Sequence, residues 1–210
     1  RTIILDVDGT LTHERSIWRY LMEQTGNWHR GKEHLSEFTR GSITYSEFCA
    51  LDAQLFTGYV YRDLKDLAYK VPKYEGLDDL FGYLADARFT TCLVSTGLKL
   101  LTDYFEERYH VDLCITNDLE QQDGICTGNA IVNLSDDGKA GVVERIQATF
   151  GKKHLTVVGD SKGDLSLFRV ADIRIAVNTD SHELMSAANA ALHTQDLREL
   201  IGIISQANEL

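Results

Sequence analysis

Two carboxylates separated by one residue, Asp6 and Asp8, follow the apolar run Thr2-Ile3-Ile4-Leu5 and precede Gly9. In an extended chain alternate side chains leave the same face, so both would stand at the exposed tip where the run turns at Gly9. Two carboxylates so close repel, and in a crevice they stay ionised only beside a cation or with a proton held on one of them. A solvated Asp-x-Asp-Gly turn would explain this pair if it stood alone. A second apolar run, Val157-Val158-Gly159, ends in Asp160 and Asp164, four residues apart. Helix capping accounts for one of these but not both. Carboxylate oxygens gathered from adjacent strand ends make a hard oxygen site suited to Mg²⁺. At Ser95-Thr96-Gly97 a hydroxyl and backbone N–H groups at a helix start would suit a phosphate oxygen, although a simple cap uses the same residues. Lys139 opens a helical segment, where its charge opposes the helix dipole and requires a compensating anion.

The elements that must carry these residues alternate. Short β-branched and apolar runs at 2–8, 89–95, 113–116, 154–159 and 173–177 read as strands, the first of them central and buried. Helical patterns lie at 77–87, 98–109, 139–150, 164–170, 181–190 and 197–206. The alternation predicts an α/β fold, a Rossmann-like three-layer core with a mainly parallel sheet and its ligand site at the carboxyl ends of the strands. Residues 12–75 break the alternation with aromatic-rich helical pieces and re-enter near Pro72, the only proline. They read as a small helical cap domain inserted after the first strand, with the core formed by 1–11 and 76–210. Asp123-Gly124 predicts a hairpin turn between two extended pieces, and Asp136-Asp137-Gly138 another turn.

Composition removes several classes of function. The 210 residues carry 21 Lys+Arg against 32 Asp+Glu, a formal charge of −11. That balance repels nucleic acids and anionic lipid, so neither is an expected partner. No apolar run approaches the roughly 20 residues that cross a bilayer. The opening Arg1-Thr2 shows no secretion-signal pattern, and Cys49, Cys92, Cys114 and Cys126 lack metal or redox spacing, which predicts free thiols in the cytoplasm. The seven histidines lack zinc-site spacing, and no nucleotide-binding glycine loop occurs.

Taken in order, these parts resemble the haloacid dehalogenase superfamily of phosphohydrolases. Asp6-Val7-Asp8-Gly9-Thr10-Leu11-Thr12 is similar to its first motif, Ser95 to its second, Lys139 to its third and Gly159-Asp160-Ser161-x-x-Asp164 to its fourth. The insert sits where the family's C1-type cap does. Its helical character, Asp123-Gly124-x-x-Thr127-Gly128 and Gly138-Lys139-Ala140-Gly141 resemble the phosphoserine phosphatase-like branch. The chain departs from that branch at four places. Glu14 stands one residue from the place of the glutamate that meets the substrate amine. Arg15, Arg19, Arg30 and Arg40 are present, but none matches the carboxylate-binding arginine. Gly163 replaces an asparagine, and Thr96-Gly97 replaces a glycine pair.

The resemblance implies hydrolysis of a small phosphomonoester, phosphoserine being the leading substrate. Asp6 would be the nucleophile that forms an aspartyl-phosphate, and Asp8 the general acid and then base. Ser95 and Lys139 would hold the non-bridging oxygens. Gly9, Thr10, Thr96 and Gly97 would cradle the phosphate, with Glu14 and Arg15 as further substrate contacts. Mg²⁺ would lie among Asp6, Asp8 through its backbone carbonyl, Asp160 and Asp164. The cap would close over the site, and Trp18, Trp28, Tyr45 and Phe48 could line its pocket, although helical aromatics more often pack a core. The expected partner is a small phosphorylated metabolite, and a homodimer is an allowed assembly. Sugar, nucleotide or cofactor phosphates, phosphotransfer, and a non-enzymatic Asp-phosphorylated signalling switch remain alternatives.

Overall fold

The computed structural model describes residues 1–135, 139 and 141–207. The turn expected at Asp136-Asp137-Gly138 therefore lies outside the described residues, as do Gly138 and Ala140 of the segment around Lys139. Among the described residues, seven strands form one sheet: β1 (Thr2–Leu5), β2 (Thr90–Leu98), β3 (Leu113–Gln122), β4 (Ile125–Ile131), β5 (Leu155–Gly159), β6 (Ile173–Val177) and β7 (Ala190–Leu192). Their spatial order is β4-β3-β2-β1-β5-β6-β7, which puts β1 at the centre. Every pairing is parallel except β3 with β4.

Residue alternation along these strands builds both outer layers. Ile3 and Leu5 of β1, Leu93 of β2 and Val158 of β5 join one apolar cluster, whereas Ile4, Val94 and Val157 join the other. The first cluster is covered by α5 (Leu77–Asp86), α6 (Lys99–Glu106) and α10 (Arg198–Ala207). The second is covered by α7 (Gly141–Phe150), α8 (Leu165–Phe168) and α9 (His182–Ala187). A sheet buried on both faces leaves its strand ends as the places where polar groups can converge.

The chain leaves this core after β1 and forms α1 (Ile17–Gln24), α2 (Trp28–Thr39), α3 (Tyr45–Gln54) and α4 (Tyr61–Ala68). Exit and return run side by side, with the His13 N–H donating to Pro72 O at 2.9 Å and the Tyr74 N–H to Leu11 O at 3.2 Å. The far side of the insert is tied to the β3–β4 hairpin: the Tyr61 N–H donates to Gly124 O at 2.8 Å and the Gly58 N–H to Cys126 O at 2.9 Å. The hairpin turn is the expected Asp123-Gly124, both with positive φ, at 52° and 81°.

Several local expectations differ from the structure. β1 stops at Leu5, so Asp6 and Asp8 lie in the loop beyond it, and Asp6 is buried rather than exposed at a turn tip. Segment 181–190 contains a helix only to Ala187, and Ala190 begins β7, because pairing with Ile175 on β6 outweighs the helical preference of an Ala-rich stretch. All four cysteines are free. No helix among the described residues is long and apolar enough to cross a membrane.

Candidate active site

At the carboxyl end of β1 the chain turns so that Asp6 and Asp8 take different partners. Asp6 meets the Lys139 ammonium at 2.7 Å, and Lys139 also donates to Asp164 at 2.8 Å. The anion that Lys139 requires is thus supplied twice, from the ends of β1 and β5. Asp8 is held elsewhere: Ser95 Oγ, on β2, donates to Asp8 Oδ2 at 2.9 Å, and the Ile17 N–H at the start of α1 donates to Oδ1 at 2.7 Å. The helical insert therefore begins on one of the two site carboxylates.

Beyond β5, Asp164 closes the next turn on itself. Its Oδ2 accepts from the backbone N–H groups of Asp160 at 3.2 Å and Ser161 at 3.1 Å, a reciprocal cap with the Ser161 hydroxyl. Asp164 is thus both the expected cap and a partner of Lys139. Asp160 leans over the first loop. An ideal Cβ on Gly9, whose φ is +82°, would fall 2.2 Å from Asp160 Oδ2, so only glycine lets the two loops approach this closely. Gly97 plays a similar part on β2, where a Cβ would fall 2.2 Å from Asp8 Oδ2.

Burial sets the electrostatics. It raises the Asp6 carboxyl well above its usual range, against the opposing pull of Lys139, with Asp164 and Asp160 adding to the rise. Burial likewise raises Asp160, reinforced by Asp164, and Asp8, opposed by the Ser95 hydroxyl. Lys139 loses solvation too, but the carboxylates of Asp164 and Asp6 outweigh that loss and hold it charged. Asp6, Asp160 and Asp164 can place one carboxylate oxygen each within 4.8 Å of one another. Among the described residues, Asp160 Oδ1 is buried without a hydrogen-bond partner. Three buried carboxylates against one ammonium leave net negative charge and an orphan acceptor, a donor set that fits a hard divalent cation such as Mg²⁺.

A cavity of about 340 Å³ opens over this cluster, walled by Asp6, Asp8, Ser95, Lys139, Asp160 and Thr179 among others. It adjoins a second cavity of about 560 Å³ inside the insert, and Arg15 and Thr96 line both. Glu14 lines the second, as do Trp18, Trp28, Tyr45 and Phe48. Gly9, Thr10 and Gly97 do not reach either wall. The Thr10 N–H is spent on Val7 O at 3.2 Å, that of Gly9 points to Thr12 Oγ1 at 3.4 Å, and that of Gly97 to Ser95 Oγ at 2.9 Å. In place of an open cradle these groups brace the loops.

Two other lysines, Lys99 and Lys162, take other partners. Lys99 pairs with Asp103, and Lys162 pairs with Glu183 at 3.1 Å, although Lys162 also borders the smaller cavity. Sequence reasoning missed Thr179 and Ser181, which line that cavity just beyond β6. The strand-end rule applied to a fourth strand would have found them. It also missed Asn117 on β3, whose Nδ2 donates to Thr96 O at 3.1 Å and so fixes the Ser95-Thr96 corner.

Comparison with known proteins follows the same parts. A family model described as haloacid dehalogenase-like hydrolase matches residues 3–169. A phosphoserine phosphatase of Archaeoglobus fulgidus is 26% identical over 209 residues, covering 97% of this chain and 60% of that protein. One from Idiomarina loihiensis is 26% identical over 212 residues, covering 98% of this chain and 94% of that protein. A solved structure of a phospho-aspartyl intermediate analogue of phosphoserine phosphatase shares the fold, with a TM-score of 0.81 and 21% identity over 97% of this chain and 98% of that one.

Proposed function

This chain belongs to the haloacid dehalogenase-like hydrolase family, and we propose that within it the protein is a Mg²⁺-dependent phosphatase of small phosphomonoesters. The observation that carries this reading is the meeting of Asp6, Asp160 and Asp164 around one buried lysine, beside a second carboxylate, Asp8, that has partners of its own. Phosphoserine is the first substrate to test, since relatives are named for it.

Asp6 attacks phosphorus in line, forming an aspartyl-phosphate as the ester P–O bond breaks. The departing oxygen takes a proton from Asp8, whose raised carboxyl is suited to hold one. Water then attacks the aspartyl-phosphate, giving its proton back to Asp8 and releasing inorganic phosphate and free Asp6. Lys139 and Ser95, which both line the cavity, hold the non-bridging oxygens. Asp6, Asp160 and the backbone carbonyl of Asp8 would hold Mg²⁺, with Asp164 completing the shell. Bound there, the cation neutralises charge between the phosphate and Asp6. Residues 12–75 act as the cap that covers the leaving group, while 1–11 and 76–210 carry the chemistry. The cytoplasm is the proposed location.

The test is phosphate release from a panel of phosphomonoesters with Mg²⁺, beside a chelated control and Asp6→Asn. Release that needs metal and is lost in Asp6→Asn, with an unchanged circular dichroism spectrum, is expected. Release that persists in Asp6→Asn would overturn the mechanism. Durable labelling of Asp6 by acetyl phosphate without turnover would favour the signalling-switch reading.

A further inference from the structure

The larger cavity has a chemistry of its own. Its volume of about 560 Å³ falls within the roughly 300–1,000 Å³ of pockets that enclose drug-sized ligands, far more than an amino-acid leaving group fills. Its walls include Trp18, Trp28, Phe38, Tyr45 and Phe48, all only half-buried, and Leu35, which is exposed. A folded protein seldom leaves so many large apolar groups partly solvated on one concave surface without a ligand for them. The aromatic wall is already ordered: the Phe38 and Phe48 rings stack at 5.0 Å and 2°, and Tyr45 meets Phe38 edge-on at 5.8 Å.

The charged groups on this wall do not form a zwitterion site. Both guanidiniums that line it are partnered, Arg15 with Asn178 O at 2.9 Å and Asp180 at 3.0 Å, and Arg19 with Glu23 at 2.7 Å. Arg19 also lies over the Trp28 ring at 4.9 Å. Glu14 and Asp52 line the cavity as well, and Asp52 is bonded to His34 Nδ1 at 2.8 Å. Arg30 and Arg40 line neither cavity. The wall therefore offers flat apolar surface, and both of its guanidiniums are already engaged by other carboxylates rather than open to a substrate carboxylate.

We propose that the substrate is the phosphomonoester of an alcohol that carries an aromatic ring system and no carboxylate. Its ring occupies the cavity between α1, α2 and α3 while its phosphate lies over Asp6. This rests on the phosphatase reading and gives it a substrate class. Arg15 and Thr96, common to both cavities, mark where the alcohol crosses from one to the other.

The experiment compares kcat/KM with Mg²⁺ for phosphoserine, phosphoethanolamine, 2-phenylethyl phosphate and 2-(1-naphthyl)ethyl phosphate. Arylalkyl esters are chosen because their leaving oxygen is an alkoxide, as in phosphoserine, so a difference reports binding and not leaving-group reactivity. The arylalkyl esters are expected to exceed phosphoserine by at least about tenfold, and Phe48→Ala to cut that ratio by about as much. Leu35→Ala, at an exposed position, is the second variant should Phe48→Ala not fold. Arylalkyl esters no better than phosphoserine, or a ratio unmoved in the variants, would overturn the inference and leave the phosphatase reading standing. Metal-dependent release from no ester at all would instead overturn the phosphatase reading.

Discussion

The Lys139 ammonium bridges Asp6 at 2.7 Å and Asp164 at 2.8 Å, joining the ends of two strands through a single buried cation. In this arrangement the lysine already neutralises the group assigned as nucleophile before any phosphate arrives. Its side chain is only 3% exposed, so solvent contributes little to that pairing.

Lys139→Met should therefore act on both stability and catalysis. Removing one partner of a buried ion pair leaves carboxylates uncompensated, which costs about 3–5 kcal/mol. Thermal melts in chelator should show that loss, and phosphate release should fall at least about 100-fold. Lys99→Met and Lys162→Met should change release far less, because both are exposed and paired with Asp103 and Glu183 rather than with the site carboxylates. Normal kinetics in Lys139→Met would sink the assignment.

Asp160 should show a conflict between stability and function. Its buried Oδ1 lacks a partner among the described residues, and burial beside Asp164 disfavours its charge. Asp160→Asn removes that penalty, so the variant in chelator should melt no lower than the unaltered protein. Mg²⁺ at a hundred times its dissociation constant should stabilise the unaltered protein by about 2.7 kcal/mol. The variant should bind Mg²⁺ at least about tenfold more weakly by calorimetry, having lost an anionic ligand. Equal Mg²⁺-induced melting shifts in the two proteins would contradict the site.

Much of this is legible in the sequence, for a physical reason. Strands buried on both faces are written as short apolar runs, and the polar residue ending each run is where the chain leaves the sheet. Asp6 and Asp160 could thus be placed from sequence, whereas Ser95, read as a strand end, stands inside β2, which runs on to Leu98, and Lys139, read as opening a helix, precedes α7, which begins at Gly141. The partner choices were not legible. That Asp8 accepts from the Ile17 N–H, or that Asn117 holds the Thr96 carbonyl, depends on loop turns with no periodicity. The Gly9 and Thr10 N–H groups were expected to face a phosphate, but local turn bonds within the loop take both. Trp18, Trp28, Tyr45 and Phe48 have core-like spacing, and only the three-helix packing of the insert shows that they border a cavity.

Gly97→Ala tests the positioning of Asp8. The new methyl would meet Asp8 Oδ2 at 2.2 Å and Ile17 Cγ2 at 3.0 Å, so the carboxylate must move. A displacement near 1 Å from productive geometry costs on the order of 100-fold in rate. Phosphate release should fall by about that factor, with circular dichroism unchanged because the sheet itself is not crowded. A variant with full activity would show that Asp8 tolerates other positions.

Asp52 gives the insert a pH-dependent stability. It is 3% exposed and accepts a hydrogen bond from His34 Nδ1 of α2 at 2.8 Å. Burial pushes its carboxyl from 3.8 up to about 6, with the His34 contact opposing the rise. A raised carboxyl binds its proton more tightly in the folded state than in the unfolded chain, so folding is favoured less as pH rises between those two values. Above about 6 the penalty is complete and the curve flattens. Asp52→Asn has no proton to lose, yet its amide oxygen can still accept from His34. Denaturant unfolding at pH 4.5 and 7 should therefore show the variant gaining on the unaltered protein with rising pH, by on the order of 2 kcal/mol. A stability difference that stays constant across this window would exclude Asp52 as the titrating group.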